Sequence, residues 1–191
     1  LTLSGHKLHG PKGIGALYFR KGVPLSPLIL GGGQEFEKRG GTENVALIAG
    51  FAKAVSLAVE ELSDNRMKME EARQRLITMI KTIPESDVLG SESDRLPNLL
   101  NVSFKGVDAE ALVLALDAEG VYVSSGSACS SLSMEPSHVL LAMGLPLEKA
   151  KNSVRFSVAV DTRKDEVEHL IQVLPGTVSR LRTFSEKKVD G

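Results

Sequence analysis

The order of elements after residue 84 constrains the fold more than any other feature. The periodicity there alternates strand, helix, strand, helix, strand, helix. Asn98–Phe104 reads as a strand. Asp108 is placed to cap a helix running to about Glu119, with Gly120 as its stop. Val121–Val123 reads as a short strand, and Pro136 opens a short helix ending at Gly144. Ser153–Val160 alternates, with Val154, Phe156 and Val158 on one face. Thr162-Arg163-Lys164-Asp165 has the form of a capping box with Asp in place of Glu, and opens a last helix. Elements in this order must share a core in layers, which predicts a small α/β sandwich. Pro84–Leu96 reads as a polar loop. Pro175-Gly176 should kink or break the last helix before Arg182, and the charged tail from Ser185 should be disordered.

Residues 1–62 read as the end of a different, larger domain, and 63–191 as a small C-terminal domain. Leu1-Thr2-Leu3 and Ile14–Arg20 read as strands. The chain opens inside a strand with Leu, which points to a missing N-terminal part. Gly31-Gly32-Gly33 marks a loop that needs unusual dihedrals or close approach. Val45, Ile48, Ala49, Ala52, Val55 and Ala58 recur at helical spacing through Leu62. After a break at Ser63-Asp64, a second helix to Ile83 carries the core-facing stripe Met69, Ala72, Leu76, Met79, Ile80 and Ile83.

Cys129 is the only cysteine among 191 residues. That excludes an internal disulfide and fits a reducing cytoplasm. Its neighbours, Ser124-Ser125-Gly126-Ser127-Ala128 and Ser130-Ser131, are small, and most are hydroxylated. The segment alone admits two readings, an accessible reactive thiol or a buried small side chain. A net charge of −1, with Lys and Arg spread among acids, argues against nucleic-acid binding. The chain has no Trp and no apolar run of membrane-spanning length. No His or Cys pair has metal-ligand spacing.

Ser4-Gly5-His6-Lys7-Leu8-His9-Gly10-Pro11-Lys12-Gly13-Ile14-Gly15 matches neither a dinucleotide fingerprint nor a P-loop. It reads either as a basic glycine-rich surface loop or as the site of a Schiff-base lysine. In the second reading Ser4 and His6 supply donors for a phosphate. Pyridoxal phosphate carries both the aldehyde and the phosphate that such a site would take.

Five blocks together resemble the NifS-like cysteine desulfurases, class V enzymes of fold-type I. They are Ser4–Lys7 with Gly10–Leu17, Gly31–Glu35, Arg39–Asn44, Ser124–Cys129 and Val154–Ser157, in the family's order across nearly the whole chain. The resemblance implies an α/β fold, the C-terminal part of a fold-type I transferase that uses pyridoxal 5′-phosphate. It implies Lys7 as the cofactor-binding lysine and proton shuttle, with Ser4 and His6 on the cofactor phosphate. Thr42 would reach the phosphate held by the other subunit of a homodimer. Arg155 would grip the substrate carboxylate, and Cys129, on a long mobile loop, would be the nucleophile that carries sulfur as a persulfide. The implied reaction converts L-cysteine to L-alanine and hands sulfur to an iron–sulfur scaffold or another acceptor. Cys129 could share a cluster with that scaffold.

The chain departs from the family pattern at Gly40, where the family has Ser, and at Pro175, where its last helix continues. The family's N-terminal half, with the Asp that pairs with the ring nitrogen, is not in this sequence. Residues 1–62 are therefore expected to be unstable alone, while 85–183 fold. The rival readings are a class V aminotransferase, a selenocysteine lyase, or a non-catalytic sulfur-carrier module.

Overall fold

The computed structural model describes residues 1–125 and 136–189, with side chains to residue 185. The chain forms two compact units, Leu1–Ser63 and Asp64–Gly191.

In the first unit, β1 (Thr2–Ser4) and β2 (Gly15–Leu17) form an antiparallel pair, with Leu3 opposite Ala16. The segment Ile14–Arg20 thus contributes only three residues to a strand. Between the strands lies a single 3-10 turn, Gly5–Leu8. One further turn, α1 (Gln34–Glu37), precedes α2 (Val45–Glu60). Asn44 caps α2, its Oδ1 accepting from the Leu47 N–H at 3.2 Å. The triple glycine serves close approach: a Cβ on Gly40 would lie 2.8 Å from the Gly31 Cα. The positive φ angles fall instead on Glu35, Phe36 and Glu37, at 48°, 55° and 61°. The chain breaks at Glu61, between α2 and α3 (Leu62–Ile80), rather than at Ser63-Asp64.

The second unit is built on a four-stranded antiparallel sheet in the order β3-β4-β6-β5. Its strands are β3 (Ser86–Leu89), β4 (Leu99–Phe104), β5 (Ser124–Ser125) and β6 (Ser153–Ser157). Alternation puts Leu100, Val102, Phe104, Val154 and Phe156 on one face. There they join Leu76 and Ile80 of α3, Leu112 and Leu116 of α4 (Ala109–Ala118), and Leu170, Leu174 and Val178 of α7 (Lys164–Val189) in one buried cluster. Two short helices, α5 (His138–Ala142) and α6 (Leu147–Lys151), place Leu140 and Ala150 against Leu89 in a separate small cluster. The α/β sandwich expected from the periodicity is present.

The ends of α4 follow the sequence. Asp108 Oδ1 accepts from the Ala111 N–H at 2.9 Å, and Gly120 sits at φ +77°. Its C-terminal motif also explains why Val121–Val123 is not a strand. The Val121 N–H closes back on the Leu116 carbonyl at 2.9 Å, so pairing with β6 begins only at Ser124.

Other boundaries differ too. β3 lies inside the segment read as a loop, because β4 supplies the ladder partners that its polar sequence hides. β6 ends at Ser157, and α6 was not foreseen. The capping carboxylate of α7 is Glu166, whose Oε2 accepts from the Arg163 N–H at 2.8 Å, so the box lies one residue later. Thr162 Oγ1 accepts from Ala159 instead.

Pro175 does not break α7, which continues through it to Val189, past the residues read as a disordered tail. Proline removes one helical hydrogen bond, at a cost of about 3 kcal/mol. Burial of Leu174 and Val178 on either side offsets this loss. Farther along α7, the Arg182 guanidinium donates to the Lys105 carbonyl at 2.9 Å and the Glu85 carbonyl at 3.2 Å. The second half of α7 is thereby tied to the ends of β3 and β4.

Candidate functional site

The first unit presents the lysine on the 3-10 turn. Gly5 is buried beneath it, its N–H donating to the Ile14 carbonyl at 2.8 Å. A Cβ on Gly5 would lie 2.9 Å from both Ile14 Cγ2 and the Pro11 carbonyl oxygen, so only glycine fits here. His9 ends the turn at φ 59°, and the Gly10 N–H closes back on the Gly5 carbonyl at 2.9 Å. The α2 helix supports the following loop through Gly50, where a Cβ would stand 2.8 Å from Pro11 Cγ.

On this framework Lys7 and His6 are exposed, and Ser4 is half-buried. Ser4 stands at the N-cap of the turn, but its hydroxyl makes no capping bond. An amine, an imidazole and an uncommitted hydroxyl are thus presented on one turn. Thr42 is exposed on the loop leading into α2, after Gly41 at φ +108°.

Arg155 belongs to the second unit and occupies the middle of β6. It stands opposite Asn101 of β4 on one side and Ser124 of β5 on the other. Its neighbours Val154 and Phe156 point into the core, so Arg155 lies on the opposite face of the sheet. Among the described residues, Arg155 Nε is buried without a hydrogen-bond partner, and so is Asn101 Oδ1. Sequence reading overlooked Asn101. The available signal was an amide in mid-strand, at a position where Asn is disfavoured.

Cys129 lies outside the described residues. So does most of its serine-rich segment, and with it the mobility expected of that loop. The second unit also has an open concavity of about 480 Å³ beside Val121–Val123, Phe156 and Leu170. Its walls include Leu76 and Val167 of the core, on the helix-covered side of the sheet, away from Arg155. Of Ser4, His6, Lys7, Thr42 and Arg155, none lines it. His169 is exposed, and its Nε2 lies 2.8 Å from the Glu119 carbonyl at the end of α4.

Comparison with known proteins finds a match to the aminotransferase class-V family model over residues 1–170. The chain belongs to that family. It is 48% identical over 189 residues to the cysteine desulfurase IscS of Dictyoglomus turgidum, covering 98% of this chain and 48% of that protein. It is 47% identical over 191 residues to a cysteine desulfurase of Trichormus azollae, covering 100% of this chain and 48% of the relative. The solved structure of a NifS-like protein from Rickettsia africae superposes with a TM-score of 0.83 at 34% identity, over 93% of this chain and 47% of that one. The chain therefore spans about half the length of the curated relatives it matches.

Class-V members are pyridoxal-phosphate enzymes. The donor set on the 3-10 turn fits such a group: Lys7 offers an exposed amine to an aldehyde, and Ser4 and His6 offer phosphate donors.

Proposed function

We propose that the protein carrying this chain is a cysteine desulfurase that converts L-cysteine to L-alanine and holds the sulfur as a persulfide on Cys129. The observation that carries this reading is the match at 47% identity over 191 residues, the whole of this chain, to a relative named cysteine desulfurase, with Lys7, Cys129 and Arg155 inside it.

Lys7 holds the cofactor aldehyde and then moves protons at the substrate carbons. Ser4 and His6 hold the phosphate. Thr42 serves the phosphate bound by the other subunit, so the working form is a homodimer. The first unit is then part of the larger cofactor-binding domain. Pyridoxal phosphate, when bound, supplies the electron sink that makes the Cα–H acidic and loosens the Cβ–S bond.

Arg155 orients the substrate by taking its carboxylate in the guanidinium fork. The Cys129 thiolate attacks the substrate sulfur. A sulfur–sulfur bond forms, the Cβ–S bond breaks, and its electron pair stays with the carbon skeleton. That skeleton takes up a proton and leaves as alanine. Only the thiolate is competent, because attack at sulfur follows the rules of thiol–disulfide exchange. The bound sulfur then passes to an acceptor protein, an iron–sulfur scaffold or a thiolation partner, in a cytoplasmic setting. Cys129 is also the residue that could share a cluster with a scaffold.

The test is Cys129→Ala in the cofactor-loaded, full-length protein. The visible absorbance of the Lys7-bound cofactor is expected to persist while sulfur transfer and the persulfide mass increment are lost. Lys7→Ala is expected to lose the absorbance. Sulfur release at the parent rate from Cys129→Ala would replace this reading with a lyase or aminotransferase that does not need the thiol.

A further inference from the structure

Asn101 and Arg155 are direct cross-strand neighbours in the β4–β6 ladder, on the same face of the sheet. Side chains so placed have Cβ atoms about 4.5–5.5 Å apart, within reach of one another. Each contributes one buried atom without a partner among the described residues, and the two are complementary. Arg155 Nε–H is a donor, and Asn101 Oδ1 is an acceptor. Buried polar atoms are rarely left unpaired, so two complementary orphans side by side call for an explanation.

The rest of the row shows what else stands beside them. On the far side of Asn101 stands Leu89, its register partner in β3, buried with Leu140 and Ala150. Asn101 therefore has an apolar neighbour on one side and a guanidinium on the other. Beyond Arg155 stands Ser124, from which the chain runs on towards Cys129. The row passes from a closed apolar end, through Asn101 and Arg155, to the segment that carries the thiol.

We propose that Asn101 is a positioning residue for Arg155. The two atoms are not bonded to each other in this structure; when the carboxylate of the amino-acid substrate engages Arg155, Asn101 Oδ1 takes the Nε–H and leaves the two terminal guanidinium nitrogens as an end-on fork. An arginine can grip a carboxylate side-on, through Nε and one terminal nitrogen, or end-on, through both terminal nitrogens. Occupying Nε selects the second geometry and fixes the direction from which the substrate enters. The inference rests on the reading of Arg155 as the carboxylate-binding residue.

The test uses the full-length, cofactor-loaded enzyme with L-cysteine and the variants Asn101→Ala, Asn101→Asp, Arg155→Ala and Asn101→Ala/Arg155→Ala. Asn101→Ala is expected to raise KM about tenfold with kcat changed less than about twofold, the pattern of lost uniform binding. Asn101→Asp keeps the shape of the side chain but adds an anion that competes with the substrate for Arg155, so its KM is expected to rise further. A purely packing role for Asn101 would not give that order. In the double variant, Asn101→Ala is expected to add nothing to the effect of Arg155→Ala.

A second readout does not depend on turnover. With saturating L-alanine as the probe, the Arg155 Nε–H proton resonance, assigned by its absence in Arg155→Ala, is expected to be protected from water exchange. In Asn101→Ala it is expected to exchange freely. If Asn101→Asp does not fold, the alanine variant and this resonance decide. An unchanged KM in Asn101→Ala alongside a raised KM in Arg155→Ala would overturn the role of Asn101 and leave the carboxylate reading standing. An unchanged KM in Arg155→Ala would overturn the carboxylate reading itself.

Discussion

Gly15 shows how little room the lysine hairpin leaves. A Cβ there would collide with the carbonyl oxygen of Leu3, across the β1–β2 pair. Gly15→Ala must push β2 away from β1 and distort the turn that carries Lys7, since backbone atoms cannot yield as a side chain end can. The expected outcome is loss of bound pyridoxal phosphate on dialysis, followed by its visible absorbance, with retention by the parent protein. A surface pair makes a different kind of prediction. Lys105 Nζ lies 2.5 Å from Glu85 Oε1, and this hydrogen bond, with the lysine charge, holds the Glu85 carboxyl below its usual value. The same contact raises Lys105. A lowered carboxylate contributes stability above its ordinary value and loses it as pH falls through the lowered one. A raised ammonium contributes below its ordinary value and loses it as pH rises through the raised one. Glu85→Gln is therefore expected to lower the urea midpoint slightly at neutral pH, and the difference should vanish at strongly acid pH. Both side chains are exposed, so the effect is small and weakens with salt. Cap residues such as Asp108 and Gly120 were legible in the sequence because each acts on atoms within a few positions of itself. The pairing of Asn101 with Arg155 was not, because the two lie on strands separated by more than one helix.

Among the elements, α7 parts most sharply from local expectation. Pro175 denies one hydrogen bond to the Ile171 carbonyl, yet Leu174 and Val178 are fully buried on either side of it. The helix persists because tertiary burial outweighs a local rule. Pro175→Ala restores the missing donor and is expected to raise unfolding stability by about 2–3 kcal/mol, read from a urea melt followed by circular dichroism. A fall in stability would mean that the proline ring itself packs in a way alanine cannot replace. Strands were harder to read than helices for a related reason. A short strand exists only by virtue of its partner, as β3 and β5 do in their ladders with β4 and β6. A polar run such as Ser124-Ser125 carries no alternation that would announce it.

At the scale of the whole chain, the two units differ in what holds them. Among residues 1–63 only Gly5 and Gly40 are buried, and Leu28, Leu30 and Phe36 are largely exposed. The second unit buries a contiguous cluster drawn from three helices and two strands. Hydrophobic burial is the main term opposing chain entropy, so the two should open independently. Amide exchange on residues 1–191 is expected to show strong protection in β4, β6 and α7 and weak protection throughout residues 1–63. Equal protection of both would contradict this.

Motif blocks, caps and the alternation of periods identified the family, the α/β class and most helices, because each is written in a window a few residues wide. The tertiary structure alone decided that α7 survives its proline, where β3 and β5 pair, and that Asn101 stands beside Arg155. Those outcomes depend on partners far apart along the chain, and contacts between them exist only once the sheet has closed.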